Sequence, residues 1–217
     1  MELILICLFI SVLALDITIA FQVLISSPIF AGPLLGWLLG DVWLGFEMGF
    51  LFQLLWLSRI PAGAYIVPEG NIASMIAVVL VLLLKKSGFP NTTLVLVFVQ
   101  AILISYLGAQ LTLIYRKFNG KILNLVIKEV ESVHFKVMLF LEIGSMLVYF
   151  FGVFLLTYFI LLLSLQISPG MIQFLGLYFE NQFVIVKPVI LGIGLASVYP
   201  ILREAILKRP GNKFEKR

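Results

Sequence analysis

The chain has 217 residues, 62% of them hydrophobic and 12% charged, with a mean hydropathy of +1.14. A soluble domain carries about a quarter charged residues, so these values exclude a soluble globular enzyme and indicate an integral membrane protein. The formal charge of +4 does not argue for nucleic acid, because Lys and Arg fall in short clusters between apolar runs and read as topology signals. The lone Cys7 and lone His134 exclude an internal disulfide, a CxxC site and a His-rich metal centre. No cofactor or metal is expected.

At about 20 residues per span, the apolar content accommodates about six to eight hydrophobic segments. The expected fold is an all-α integral membrane protein that includes re-entrant or half-helices, with room for an inverted repeat. Residues 3–25 read as a retained first span, since no basic region precedes them as in a cleavable signal peptide. Asp16 and Gln22 fall inside this span and share a broad face of it. An aspartate at mid-membrane costs about 2.5–3.5 kcal/mol. Asp16 is therefore either buried against a partner group or a substrate or relay residue.

Residues 28–40 are too short to cross once Pro28, Gly32, Pro33 and Gly36 are counted, and they read as a re-entrant piece or half-helix. Residues 42–58 form the next expected span, with Glu47 and Gln53 inside it. The turn RIPAGAYIVPEGN, residues 59–71, ends helices on both sides. A short helix over 72–84 stops at Lys85 and Lys86, and residues 92–115 make a full span containing Gln100 and Gln110. Residues 116–136 alternate basic and apolar positions at helical spacing (Ile122, Leu125, Val126, Glu129, Val133) and predict an interfacial amphipathic helix. A long run over 137–165 follows, either tilted or broken near Gly144 or Gly152, then a second short element at 168–182 and a last span at 183–207.

The chain thus divides into an N-terminal membrane half (1–115), an interfacial segment (116–136), a C-terminal membrane half (137–207) and a basic cytoplasmic tail (208–217). The positive-inside rule places 116–136 and the tail in the cytoplasm. Counting back then puts Lys85 and Lys86 outside, against that rule, unless 72–84 stops short of crossing.

Residues 28–74 carry a specific pattern. A proline follows the first helix, PLLGWLLGD runs from Pro33 to Asp41, and a Gly-rich helix with Gln53 comes next. The turn GAYIVPE, from Gly63 to Glu69, then leads into a helix start at Ser74. This stretch resembles the membrane channel subunit IIC of the mannose/fructose/sorbose family of the bacterial phosphotransferase system. Asp16 and His134 resemble an acid and a histidine of that family. The sequence departs from the pattern at Ser27, where relatives carry a basic residue. It departs again at residues 202–217, where relatives continue into further helices.

The resemblance implies a multi-pass protein of the bacterial inner membrane that binds a hexose-type sugar beside a IID membrane subunit. The sugar is delivered to the cytoplasm for phosphorylation by a IIB partner that works with IIA. On this reading the chain is a transport subunit and not an enzyme, is surrounded by membrane lipid, and forms a homo-oligomer of the IIC/IID pair. The alternative from the residues alone is a non-catalytic substrate-capture component of a small-solute importer. A structural membrane subunit, its polar residues only joining helices, is a third.

A sugar site needs amides and carboxylates for hydroxyls and an aromatic platform for the apolar ring face. Gln22, Gln53, Glu69, Asn71 and Asp16 are the candidate substrate-binding residues, with Trp56 and Tyr65 as aromatic partners. Arg59 is the only cation before Lys85, which suits a neutral polyol better than an anion. Glu69 is read as a sugar ligand or as a cap on the next helix, and Asp41 as an N-cap. Gly36, Gly40, Gly45 and Gly49 suit close helix packing. The absence of GxxxxGK[ST] and GxGxxG speaks against a nucleotide site.

Overall fold

A computed structural model describes residues 2–18, 23–57, 68–130 and 135–207. Its α-helices are α1 (Glu2–Thr18), α2 (Pro28–Leu38), α3 (Val42–Trp56), α4 (Gly70–Leu84), α5 (Pro90–Val130), α6 (Phe135–Phe179) and α7 (Val186–Leu207). No strand occurs among the described residues.

The molecule is built around α4. Residues 72–82 are buried without exception, and α4 packs against α1, α2, α3, α5 and α6. A helix that is apolar on every side is a bundle core or a membrane span, and the burial of residues 72–82 makes α4 the core. The outward faces of α6 and α7 are apolar as well, with Phe151, Phe159, Leu163 and Ile193 exposed. Such faces are stable against lipid and not against water.

Next to α4 stands a short hairpin. Helices of 11 and 15 residues span about 16 and 22 Å, against a hydrocarbon core of about 30 Å. The expected half-helix at 28–40 is therefore present as α2, but the expected full span at 42–58 is a second short helix. Glycine holds the pair together. A Cβ at Gly32, Gly36, Gly45 or Gly49 would strike backbone across the α2–α3 seam. Gly40 does not belong to this seam; at φ +78° it forms the reversal between the two helices.

The hairpin's turn marks one end of the bundle. Asp41 caps α3 by accepting from the Leu44 amide at 3.1 Å, and its other oxygen accepts from Lys85 Nζ at 3.1 Å. These two donors, the amide first, hold its carboxyl below the usual carboxylate value. At this same end Glu47 of α3 pairs with Lys187 of α7. There Glu180, just past α6, also takes the Asn91 and Thr92 amides at 2.8 and 2.9 Å. The helix from Gly70 to Ser87 is long and apolar enough to cross a membrane. Lys85 and Lys86 thus lie at the opposite end of α4 from Glu69. The Asp41 pair offsets one of the two charges that conflict with the positive-inside rule.

Two further expectations are corrected. No break separates 92–115 from 116–130: α5 is one helix of 41 residues, about 61 Å long, while residues 131–134 of the expected interfacial segment lie outside the described residues. Residues 168–182 are likewise not a separate short element, because α6 runs unbroken past Gly144, Gly152 and Pro169 to Phe179. Proline is tolerated inside membrane helices where neighbours satisfy the freed carbonyl. Gly152 is not a break point but the seat of Leu111 from α5. Among the described residues no second pair of short helices answers α2 and α3, so an inverted repeat is not visible.

Candidate functional site

At the end of the bundle away from Asp41, three helix termini meet. Gln53, near the C-terminus of α3, accepts at Oε1 from the Ile29 amide in the first turn of α2, at 3.4 Å. One turn further on, the Trp56 ring packs over Gly70, the first residue of α4. The N-termini of α2 and α4 therefore point into one junction, with the C-terminus of α3 between them. Helix N-termini carry partial positive charge, which favours oxygen-rich ligands, although the α2 amides of Ile29, Phe30 and Ala31 are already taken by Gln53 and the Ser27 carbonyl.

Glu69 is placed in this junction by α5. Its backbone amide donates to the Ser105 carbonyl at 3.0 Å, and its side chain sits in the notch left by Gly108. The carboxylate accepts from Thr112 Oγ1 at 2.8 Å. Glu69 is the N-cap residue of α4, yet its side chain makes no capping bond to that helix. The cap reading therefore fails for the side chain, which reaches across to α5 instead. Arg116, one turn beyond Thr112, is near enough for its charge to act on Glu69.

Two buried polar atoms at the junction have no hydrogen-bond partner among the described residues: Ser27 Oγ, which precedes α2, and Trp56 Nε1. Buried polar groups are almost always paired, and an orphan calls for an explanation such as an absent ligand. Trp56 lies within the patterned stretch 28–74, and Ser27 immediately precedes it. Ser27 nevertheless carried no signal as a ligand when read alone. Asn71 is half-buried in the first turn of α4, beside Gly70.

Asp16 is nearby but already occupied. Its carboxylate accepts from the Val23 amide at 2.8 Å, and from the Ser26 amide and hydroxyl at 3.2 and 3.3 Å. These local donors account for a buried aspartate at the end of α1 by themselves. Gln22, Arg59, Tyr65 and His134 lie outside the described residues. Gln100 is not in the junction: it donates to Ser168 at 2.8 Å and joins α5 to α6. Gln110 is exposed.

The residues that sequence reading missed lie on α5. Ser105, Gly108 and Thr112 recur at three- and four-residue spacing, a small and polar stripe on one face. That spacing is legible in the sequence. Hydroxyls are cheap inside helices because they bond to the preceding turn, so it does not stand out as Glu69 does. Among the described residues, no group of three or more His, Cys, Asp or Glu converges as a metal site.

The comparisons agree on the fold and extend beyond it. No curated protein sequence matches the chain. Among solved structures, one described as a membrane protein aligns with a TM-score of 0.73 at 22% identity, covering 94% of this chain and 81% of the other. The mannose transporter ManYZ, in complex with microcin E492, aligns with a TM-score of 0.62 at 21% identity. That alignment covers 93% of this chain and 79% of the other. A family model described as the sorbose-specific IIC component of the PTS system matches residues 1–205. A IIC component is a transport subunit, with phosphoryl transfer on other subunits, and the importer alternative gives way to it. With nearly its whole length matched, the chain belongs to the family of sorbose-specific IIC components of the phosphotransferase system and is a multi-pass membrane transport subunit.

Proposed function

We propose that the junction of α2, α3 and α4 is the sugar site. It takes a neutral hexose, which the protein passes to the cytoplasm for phosphorylation by a IIB partner. The observation that carries this reading is the convergence of Gln53, Glu69 and Asn71 with two helix N-termini and the orphaned Ser27 and Trp56 atoms. Each sugar hydroxyl is both donor and acceptor. Glu69 accepts, the Trp56 indole donates, Gln53 and Asn71 do both, and the positive ends of α2 and α4 favour the ligand's oxygens. Gln22 and Asp16 complete the proposed set, Asp16 by holding residues 23–26 in place beside Ser27.

The exposed Arg116, Lys117, Lys121 and Lys136 mark the site's end as the cytoplasmic one under the positive-inside rule. The membrane is then the bacterial inner membrane. Family membership supports a IID subunit as the membrane partner, IIB and IIA as the cytoplasmic ones, and a homo-oligomer of the IIC/IID pair. Mannose, carried by one structural neighbour, is the first hexose to test.

The test is phosphoenolpyruvate-dependent formation of sugar phosphate in membranes that hold this chain with its IIB and IID partners, over a panel of hexoses and amino sugars. At least one sugar should be phosphorylated. The rate with Trp56→Phe, which removes the indole N–H and keeps the ring, should fall about tenfold, as expected for one lost hydrogen bond in a buried site. Failure of every sugar overturns the functional reading, and an unchanged Trp56→Phe overturns that residue's place in the site.

A further inference from the structure

Beyond the junction, α5 and α6 enclose a groove of about 580 Å³, lined by Arg116, Asn119, Gly120, Leu123, Glu142 and Ser145 among others. Apart from the charge of Arg116, which also acts on Glu69, it takes no part in the sugar reading. About 39 Å of helix separates Pro90, at the far end of α5, from Arg116. The hydrocarbon core is about 30 Å thick, and about 40–45 Å with headgroups, so the groove opens at headgroup level.

The groove's polar wall is joined by hydrogen bonds between α5 and α6. Ser145 Oγ donates to Asn119 Oδ1 at 2.6 Å, so the 2.8 Å contact between Tyr115 and Ser145 has the tyrosine hydroxyl as donor. Tyr115 and Ser145 are buried. This chain uses the acceptor end of the Asn119 carboxamide and leaves its NH₂ as the donor. Charges of both signs line the same groove, Arg116 on α5 and Glu142 on α6. Lys117 and Lys121 are exposed nearby on α5 but are not among its lining. One turn toward the membrane from Ser145, Val148 is 46% exposed, a surface suited to an acyl chain.

A guanidinium, an amide donor and a carboxylate at headgroup depth match one ligand chemistry: a phosphate with a primary ammonium beside it. We propose that the groove binds the headgroup of an aminophospholipid such as phosphatidylethanolamine, its phosphate on Arg116 and Asn119 and its ammonium on Glu142. A quaternary ammonium cannot donate to Glu142, and an anionic glycerol headgroup gives that carboxylate no counter-charge. The site therefore distinguishes lipids by the ammonium it can hydrogen-bond.

The test is native mass spectrometry of the full chain in detergent, titrated separately with phosphatidylethanolamine, phosphatidylcholine and phosphatidylglycerol. One phosphatidylethanolamine per chain should bind about tenfold more tightly than phosphatidylcholine, the scale of one charge-assisted hydrogen bond. Glu142→Gln should erase that preference, Arg116→Gln should weaken both lipids, and Lys117→Gln should change neither. Arg116 and Glu142 are exposed, so these variants should fold, which retention of the wild-type charge-state distribution checks. Equal binding of all three lipids, tighter phosphatidylglycerol, or an unaffected Glu142→Gln overturns the proposal. Displacement of bound lipid by millimolar hexose would do so too, since it would make the groove a polyol site.

Discussion

Glu69 can enter the junction only because α5 has no side chain at Gly108. An alanine there would place its Cβ 2.8 Å from the Glu69 Cβ. Glu69 cannot retreat, since its amide is tied to Ser105 and its carboxylate to Thr112. Gly108→Ala should therefore cost about 1–3 kcal/mol by overpacking and shift Glu69 out of register. Thermal unfolding and sugar uptake read the two effects, and a variant that keeps both at wild-type values contradicts the notch. At this scale the sequence was informative where burial is expensive. Acids and amides inside apolar runs drew attention to Asp16, Gln53 and Glu69. It was silent on the cheap hydroxyls, Ser27 and Thr112, which become meaningful only once the helices are placed. It also could not separate Asp16, whose oxygens are taken by local donors, from Glu69, whose carboxylate reaches another helix.

Elements are fixed by glycine and by capping carboxylates. The glycine spacing in α2 and α3 was legible as a packing seam, but the same residues could not show that α3 stops at Trp56 or that Gly40 serves the turn. The long helices were misread for a complementary reason. Polar residues after Arg116 and Pro169 look like boundaries, yet a helix paired with a long neighbour continues past either. Glu180 was unremarkable in sequence and is a main fastening of this architecture. It accepts from the backbone amides and side chains of both Asn91 and Thr92, capping the N-terminus of α5 from just past the end of α6. Burial alone would raise its pKa. The Thr92 hydroxyl and the Asn91 and Thr92 amides outweigh burial and hold it below the ordinary value. A depressed carboxyl stabilises the fold above the unfolded value of about 4.3 and loses that contribution as pH falls through the lower folded value. Glu180→Gln should thus cost about 1 kcal/mol at pH 7. Melting curves of variant and wild type should converge as the pH is taken below about 4. A gap that persists unchanged to pH 3 would rule out the charged cap.

At the scale of the whole molecule, polarity separates the two ends. The Asp41 end is closed by carboxylates already paired with Lys85, Lys187 and the first turn of α5. The other end keeps unpartnered polar atoms, two helix N-termini and Glu69. Composition was enough to establish a multi-pass helical protein, and the motif in residues 28–74 was enough to point to the family. The end at which the proposed site lies, and the place of α4 at the axis, required the packing. On the proposed reading an oxygen-rich neutral ligand sits at the open end, with Glu69 as the carboxylate that would hold it. The most direct measurement is equilibrium binding of radiolabelled hexoses, mannose first, to membranes containing this chain with its IID partner, compared with Glu69→Gln and Gln53→Ala. Saturable binding should be seen for the wild type and weaken about 10- to 100-fold in Glu69→Gln, the range for one charged hydrogen bond, with a smaller loss in Gln53→Ala. Wild-type affinity in both variants, at normal levels of assembled complex, would contradict the assignment of the sugar site to this junction.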